Sequence, residues 1–154
     1  MDEFTLARIV HVVAVLGWIG GVGFVTSVIM PAIRQSEPAS AWLGKFHTIE
    51  GRFAIQARIW VLLAGVSGFW MVYRADMWPR FAEPQFWWMH AMTVLWAVFA
   101  LLLFVIEPLY LHRRMATSAT PQADFLRMER AHRVLILAAL ITLAGAVGGS
   151  HGLF

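Results

Sequence analysis

Four long apolar segments, separated by shorter polar segments, make up most of the chain. They lie at about residues 5–30, 52–73, 85–111 and 129–152. At about 1.5 Å of rise per helical residue, each is long enough to cross a hydrocarbon core about 30 Å thick. Pro31 follows the first segment and is expected to end its helix. The pattern predicts an all-α integral membrane protein, a four-helix bundle that forms a single transmembrane domain.

Composition supports a protein surrounded by the lipid bilayer. Of 154 residues, 60% are hydrophobic and 14% are charged, whereas a soluble domain has about half apolar and about a quarter charged residues. The chain contains no cysteine, which excludes disulfides, thiolate metal sites and cysteine-ligated iron–sulfur clusters. The net charge of +3 comes from arginines in the loops, so we interpret it as a topology signal and not as a nucleic-acid-binding surface.

Loop charges predict the orientation. Basic residues concentrate in the first and third loops, which the positive-inside rule places in the cytoplasm, so both termini are expected outside a bacterial-type inner (plasma) membrane. The first segment begins with Asp2 and Glu3 and is too long for a signal peptide, so we expect it to be retained. The basic residues of the two loops and the adjoining span ends are Arg34, Lys45, Arg52, Arg113, Arg114, Arg127, Arg130 and Arg133.

Two histidines are predicted at the same depth of the outer half. His11 lies near the start of span 1 and His90 near the start of span 3, and odd-numbered spans run in the same direction. An ionisable side chain inside a span marks a functional site by default. Two imidazoles on different helices, beside glycine-rich walls and without thiols, are typical of haem b ligation between helices. We therefore predict that His11 and His90 ligate one haem b.

The remaining histidines are weaker candidates. His47, His112 and His132 lie toward the cytoplasmic side, where they either bind a second haem or are interfacial side chains among charged neighbours. His151 lies at the outer end of span 4, where an interfacial role competes with ligation.

A second signal comes from Arg58, a permanent charge inside span 2. Either it forms a buried ion pair with Glu107 of span 3, or it binds an anionic group together with Arg52. The anionic group would be a haem propionate or a quinone-like headgroup.

Several short motifs occur along the chain: His11, Trp18 and Gly20-Gly21, then Ile49 to Arg52, Gly65 to Gly68, Trp88 to Ala91, and Arg127 to Glu129. They resemble motifs of HemJ-type protoporphyrinogen oxidases, and CopD-like copper-resistance membrane proteins have a similar four-helix pattern. Two positions differ from the HemJ pattern: Met92 stands where lysine is expected, and span 4 opens without an Asn-Glu-x-Pro motif. The resemblance implies a haem-binding four-helix bundle with His11 as an axial ligand.

The function hypothesis is a membrane haem b protein that transfers electrons, a candidate oxidoreductase acting between a quinone or small reductant and another acceptor. Three alternatives stay open. The first is oxidation of protoporphyrinogen, with the tetrapyrrole as substrate. The second is copper handling by histidine and by methionines such as Met89 and Met92. The third is a scaffold subunit of a larger membrane complex. The sequence leaves the oligomeric state undetermined.

Overall fold

The computed structural model describes residues 2–111 and 118–153, without the side chains of residues 110 and 111. His112, one of the predicted site residues, lies outside the described residues. The described chain is helical and contains no β-strand. The all-α four-helix prediction is confirmed, because four helical segments are long and apolar enough to cross a membrane. These segments, called spans 1 to 4 below, are Glu3–Ser36, Ala39–Arg74, Pro84–Leu109 and Pro121–Ser150.

Span 4 is a single α-helix, whereas the other three spans combine α-helix with π-helical or 3₁₀ segments. Asp2 caps span 1: its carboxylate accepts a hydrogen bond from the Thr5 backbone N–H at 2.7 Å, and this bond lowers the pKa of Asp2 below its ordinary value. Gly152 follows span 4 with a φ of +74°, a conformation that favours glycine. The α-helices are Glu3–Phe24, Met30–Ser36, Trp42–Arg74, Trp87–Leu101 and Pro121–Ser150; Val25–Ile29 and Leu102–Leu111 are π-helical; Ala39–Ala41, Trp78–Ala82 and Pro84–Phe86 are 3₁₀ turns.

Pro31 does not end the first helix, in contrast to the prediction. The π-helical turn Val25–Ile29 immediately precedes it, and the Met30 N–H donates to the Val25 carbonyl, five residues back. A wider turn accommodates a proline ring that has no N–H to donate and would clash in a regular α-helix. Pro108 lies within the other π-helical segment, Leu102–Leu111.

Spans 2 and 4 begin earlier than hydropathy predicts, at Ala39 and Pro121. The reason is tertiary packing at this end of the bundle. Phe46 and Phe125 are both fully buried, with their rings edge-to-face at 5.9 Å between centroids. They belong to a buried cluster with Met30. The residues that follow Trp42 are therefore the first part of the span 2 helix.

Glycines in the spans provide space for aromatic rings of neighbouring spans. A Cβ on Gly17 would overlap the Trp60 ring, and a Cβ on Gly21 would overlap Phe53. Both glycines are therefore contact points between spans 1 and 2. Glycines in span 1 are expected to let either a neighbouring helix or a flat cofactor approach closely, and at Gly17 and Gly21 a neighbouring helix does so.

Large apolar side chains cover the outer surface of the bundle. Leu16 and Val66 are each 71% exposed. In water such a surface would drive aggregation, but in a membrane it contacts lipid chains. The structure is that of a multi-pass membrane protein whose outer surface is suited to contact with lipid.

Candidate functional site

A cavity of about 330 Å³ lies between the four spans and the loop that precedes span 3. It is near the lower end of the range of about 300–1,000 Å³ found for small-molecule sites. Its walls are mainly apolar and aromatic. Trp18 and three methionines of the spans line the cavity. Its other lining residues include His11, Gly68, Met77, Arg80, Thr93, Thr142 and Ser150.

His11 enters this cavity with its ring orientation fixed by span 2. Its Nδ1 lies 2.9 Å from the Ala64 carbonyl oxygen and 3.2 Å from Ser67 Oγ. A carbonyl oxygen can only accept, so Nδ1 carries the hydrogen and Nε2 carries the lone pair. The described residues supply no hydrogen-bond partner for Nε2. Metal-bound histidines are held in this way, with the second nitrogen donating to a carbonyl or carboxylate.

Gly68 explains why span 2 can approach this ring so closely. A Cβ at Gly68 would lie 3.0 Å from His11 Cε1, tighter than ordinary contact. The stretch Ala64 to Gly68 thus brings a carbonyl oxygen, a hydroxyl and a small residue against one imidazole.

Trp18, which also lines the cavity, has a buried polar atom without a hydrogen-bond partner among the described residues. Its ring is 4% exposed and packs edge-to-face on Phe99 at 4.9 Å. Among the buried side-chain nitrogen and oxygen atoms that the structure describes, only Trp18 Nε1 has no hydrogen-bond partner. An unsatisfied buried donor costs about 1–3 kcal/mol. A cavity ligand that carries an acceptor would recover this energy.

His90 lies outside the cavity. Its Nε2 donates to the Phe81 carbonyl oxygen at 2.9 Å, and its ring packs edge-to-face on Phe81 at 5.3 Å. Its neighbours Met89 and Met92 line the cavity instead. Successive helical residues point about 100° apart, so the face that carries these methionines directs His90 away. The structure does not bring His11 and His90 together, and their joint ligation stays a prediction.

Four methionines line the cavity, two of which sequence reasoning missed. Met71 belongs to the end of span 2 and Met77 to the following loop, opposite Met89 and Met92 of span 3. Their thioethers are soft, weak ligands. No sequence spacing indicates this convergence, because it depends on the rotation of two helices and the course of a loop.

The other histidines lie elsewhere. His132 Nδ1 donates to the Met128 carbonyl at 3.0 Å, and its ring packs on Phe46 at 5.8 Å. His151 is exposed, with Nδ1 at 2.8 Å from the Val147 carbonyl, and His47 is half-buried. Within residues 2–111 and 118–153, no three His, Asp or Glu side chains are grouped for metal binding. Because His112 is not described, the second-haem cluster stays a prediction.

Arg58 forms the ion pair that was one of its two predicted roles. Its Nη2 lies 3.3 Å from Glu107 Oε1, and its Nε donates to the Leu103 carbonyl at 3.0 Å. Arg52 is exposed. Neither arginine lines the cavity, whereas Arg80 does. No sequence signal indicated Arg80, because only the folded loop brings it to the cavity.

No protein-family model matches the chain, and no curated protein or solved structure is significantly similar to it. Assignment of function therefore depends on the chemistry of the cavity.

Proposed function

We propose that this protein is a membrane haem b protein that transfers electrons, with His11 as an axial ligand in the cavity between the spans. The observation that carries the proposal is the state of His11: Nδ1 is held by the Ala64 carbonyl at 2.9 Å, and Nε2 is left to bind. Burying a neutral imidazole in a span costs less than burying a charge, and metal ligation offsets the remaining cost.

The surrounding residues fit a tetrapyrrole. The walls are apolar, the unpaired Trp18 N–H can donate to an acceptor of the ligand, and Arg80 is the cationic group available for a propionate. His11 and Trp18, which both line the cavity, also carry the resemblance to HemJ-type oxidases. The haem would supply the one-electron redox chemistry, while the protein orients the imidazole and excludes water.

Two types of residue are candidates for the second axial position. His90 would have to leave the Phe81 carbonyl, whereas Met89 and Met92 already line the cavity. Histidine–methionine ligation raises the reduction potential relative to a pair of histidines. Spectra of His90→Ala and Met92→Leu distinguish the two arrangements, because only loss of the true ligand changes the spin state.

The wider setting completes the proposal. The loop charges favour a bacterial-type inner membrane with both termini outside, which places the His11 cavity in the outer half of the bilayer. A quinone or small reductant is the proposed electron donor, and assembly as a homo-oligomer or with a larger membrane complex is compatible with the apolar outer surface.

The test is the absorption spectrum of the purified protein with a matched pair of variants. We expect a reducible haem b spectrum that His11→Ala abolishes or severely weakens. His151→Ala is the control, because His151 also donates Nδ1 to a backbone carbonyl, but is exposed, lies outside the cavity and is not part of the predicted second-haem cluster. A folded His11→Ala protein with an unchanged low-spin spectrum would show that the assignment is wrong.

Copper handling is the second candidate, favoured by the four methionines that share the cavity with His11. Thioethers and imidazole together suit Cu(I). This candidate replaces the first if the protein lacks a haem spectrum but retains copper in metal analysis, and if Met89→Leu and Met92→Leu remove the copper.

A further inference from the structure

A second pocket, of about 270 Å³, lies at the other end of the bundle. It forms where span 1 ends, span 2 begins and span 4 passes both. Its lining contains both polar and apolar surface and includes two arginines. The residues around it are Pro31, Arg34, Gln35, Trp42, Glu129 and Arg133.

A buried carboxylate holds the two arginines side by side. The Glu129 side chain is 4% exposed, and its Oε1 lies 2.6 Å from Arg133 Nη2. Its Oε2 lies 3.4 Å from Arg34 Nη1. One negative charge thus faces two positive charges, so the three side chains carry a net charge of +1.

Trp42 fixes the position of Arg34 from another side. The Arg34 guanidinium lies over the indole ring, 5.7 Å from its centroid. The indole is itself held, because its Nε1 donates to the Glu37 carbonyl at 2.9 Å. Arg34 is therefore positioned by an ion pair and by a cation–π contact, which reduces the entropy lost when it binds a ligand.

Both arginines retain donors for a ligand. A guanidinium has five N–H donors, and one nitrogen of each group contacts Glu129. The side chains of Arg34 and Arg133 remain 44% and 58% exposed. Paired, planar guanidinium groups match the oxygens of phosphate.

The position of the pocket indicates the source of the phosphate. Val134 and Leu137, which follow Arg133 on span 4, are 66% and 59% exposed on the apolar outer surface. A lipid whose chains cover this surface would bring its headgroup to the two arginines. We propose that this pocket binds the phosphate group of an anionic membrane lipid through Arg34 and Arg133. The proposal is independent of the haem assignment.

The experiment measures lipid binding to the full-length protein in detergent by native mass spectrometry. The probes are phosphatidylglycerol, zwitterionic phosphatidylcholine and inorganic phosphate. We expect one phosphatidylglycerol to bind more tightly than phosphatidylcholine, and Arg133→Gln to weaken it by at least about tenfold. Arg130→Gln is the matched control, since it removes the same charge from an exposed neighbour on the same helix that does not line the pocket.

Arg34→Lys adds a variant that keeps the charge opposite Glu129 and so preserves folding. It is expected to lose affinity because lysine lacks the planar donor pair. Equal losses in Arg133→Gln and Arg130→Gln would overturn the proposal, since they indicate only a diffuse surface charge. Inorganic phosphate binding that depends on Arg34 and Arg133, without tight phosphatidylglycerol binding, would also overturn it in favour of a soluble ligand.

Discussion

At the scale of single residues, four histidines have the same hydrogen bond from one ring nitrogen to a backbone carbonyl. They differ in the surroundings of the second ring nitrogen. His11, His90, His132 and His151 each have one ring nitrogen within 3.0 Å of a backbone carbonyl oxygen. This bond fixes the tautomer without any ligand. Among the described histidines only His11 lines the cavity. Burial alone would not have separated it from His132, which is also half-buried.

Trp18 gives a prediction at the same scale. Trp18→Phe removes an N–H that has no hydrogen-bond partner among the described residues, so ring volume is lost but none of the described hydrogen bonds. Trp96→Phe is the matched comparison, because Trp96 Nε1 donates to the Val61 carbonyl at 2.9 Å. We expect Trp96→Phe to be the more destabilising by about 1 kcal/mol, measured by thermal unfolding in detergent without ligand.

The same pair of variants tests the role of Trp18 in binding. Trp18→Phe is expected to weaken retention of the cavity ligand, because the indole donor is then absent. If Trp18→Phe destabilises the ligand-free protein more than Trp96→Phe, the Trp18 indole N–H does have a hydrogen-bond partner in the folded protein, and the prediction is wrong.

At the scale of the helices, contacts between glycines and aromatic rings set the distance between neighbouring spans. Gly17 and Gly21 lie one turn apart on span 1 and receive Trp60 and Phe53 of span 2. Without a water-driven hydrophobic effect between helices, close packing of this kind supplies much of the association energy in a membrane.

Gly21→Ala is therefore expected to destabilise the bundle by about 1–3 kcal/mol, the usual cost of overpacking. Gly20→Ala is the control at the adjacent position, since a Cβ there meets nothing within 4 Å. Its effect should be within about 0.5 kcal/mol. The measurement is the unfolding midpoint of both variants in the same detergent. An effect of Gly21→Ala as small as that of Gly20→Ala would show that Phe53 moves aside easily.

These contacts also explain what the sequence could and could not predict. Four spans follow from hydropathy, because the bilayer requires long apolar helices whatever their partners. The start of span 2 at Ala39 does not follow, since Phe46 is buried by Phe125 of a distant segment. His11 could be predicted as a polar residue in an apolar run. Arg80 and Met77 could not, because only the folded loop brings them to the cavity.

At the scale of the whole molecule, charge is distributed unevenly between the two ends of the bundle. Eight basic residues, among them Arg34 and Arg133, belong to the first and third loops and the adjoining span ends. The end with the His11 cavity has three, Arg8, Arg74 and Arg80. The positive-inside rule assigns the end with the first and third loops to the cytoplasm.

Topology is accordingly a prediction for the intact chain. Reporters fused at the C-terminal end should behave as exported, and reporters inserted in the first loop should behave as cytoplasmic. An alkaline phosphatase fusion, active only after export, makes the measurement. If the C-terminal reporter behaves as cytoplasmic, the orientation is the opposite of the predicted one. The His11 cavity would then lie in the inner half of the bilayer.

The ion pair between Arg34 and Glu129 joins positions 95 residues apart in the chain. During translation, Arg34 is synthesised long before its partner exists. At about 5–20 residues per second, the delay is roughly 5 to 20 s. Throughout this interval the end of span 1 has neither the carboxylate of Glu129 nor the ring of Phe125 beside it. Because of this order of synthesis, the end of span 1 acquires its ion pair and its contact with Phe125 only after span 4 has been synthesised.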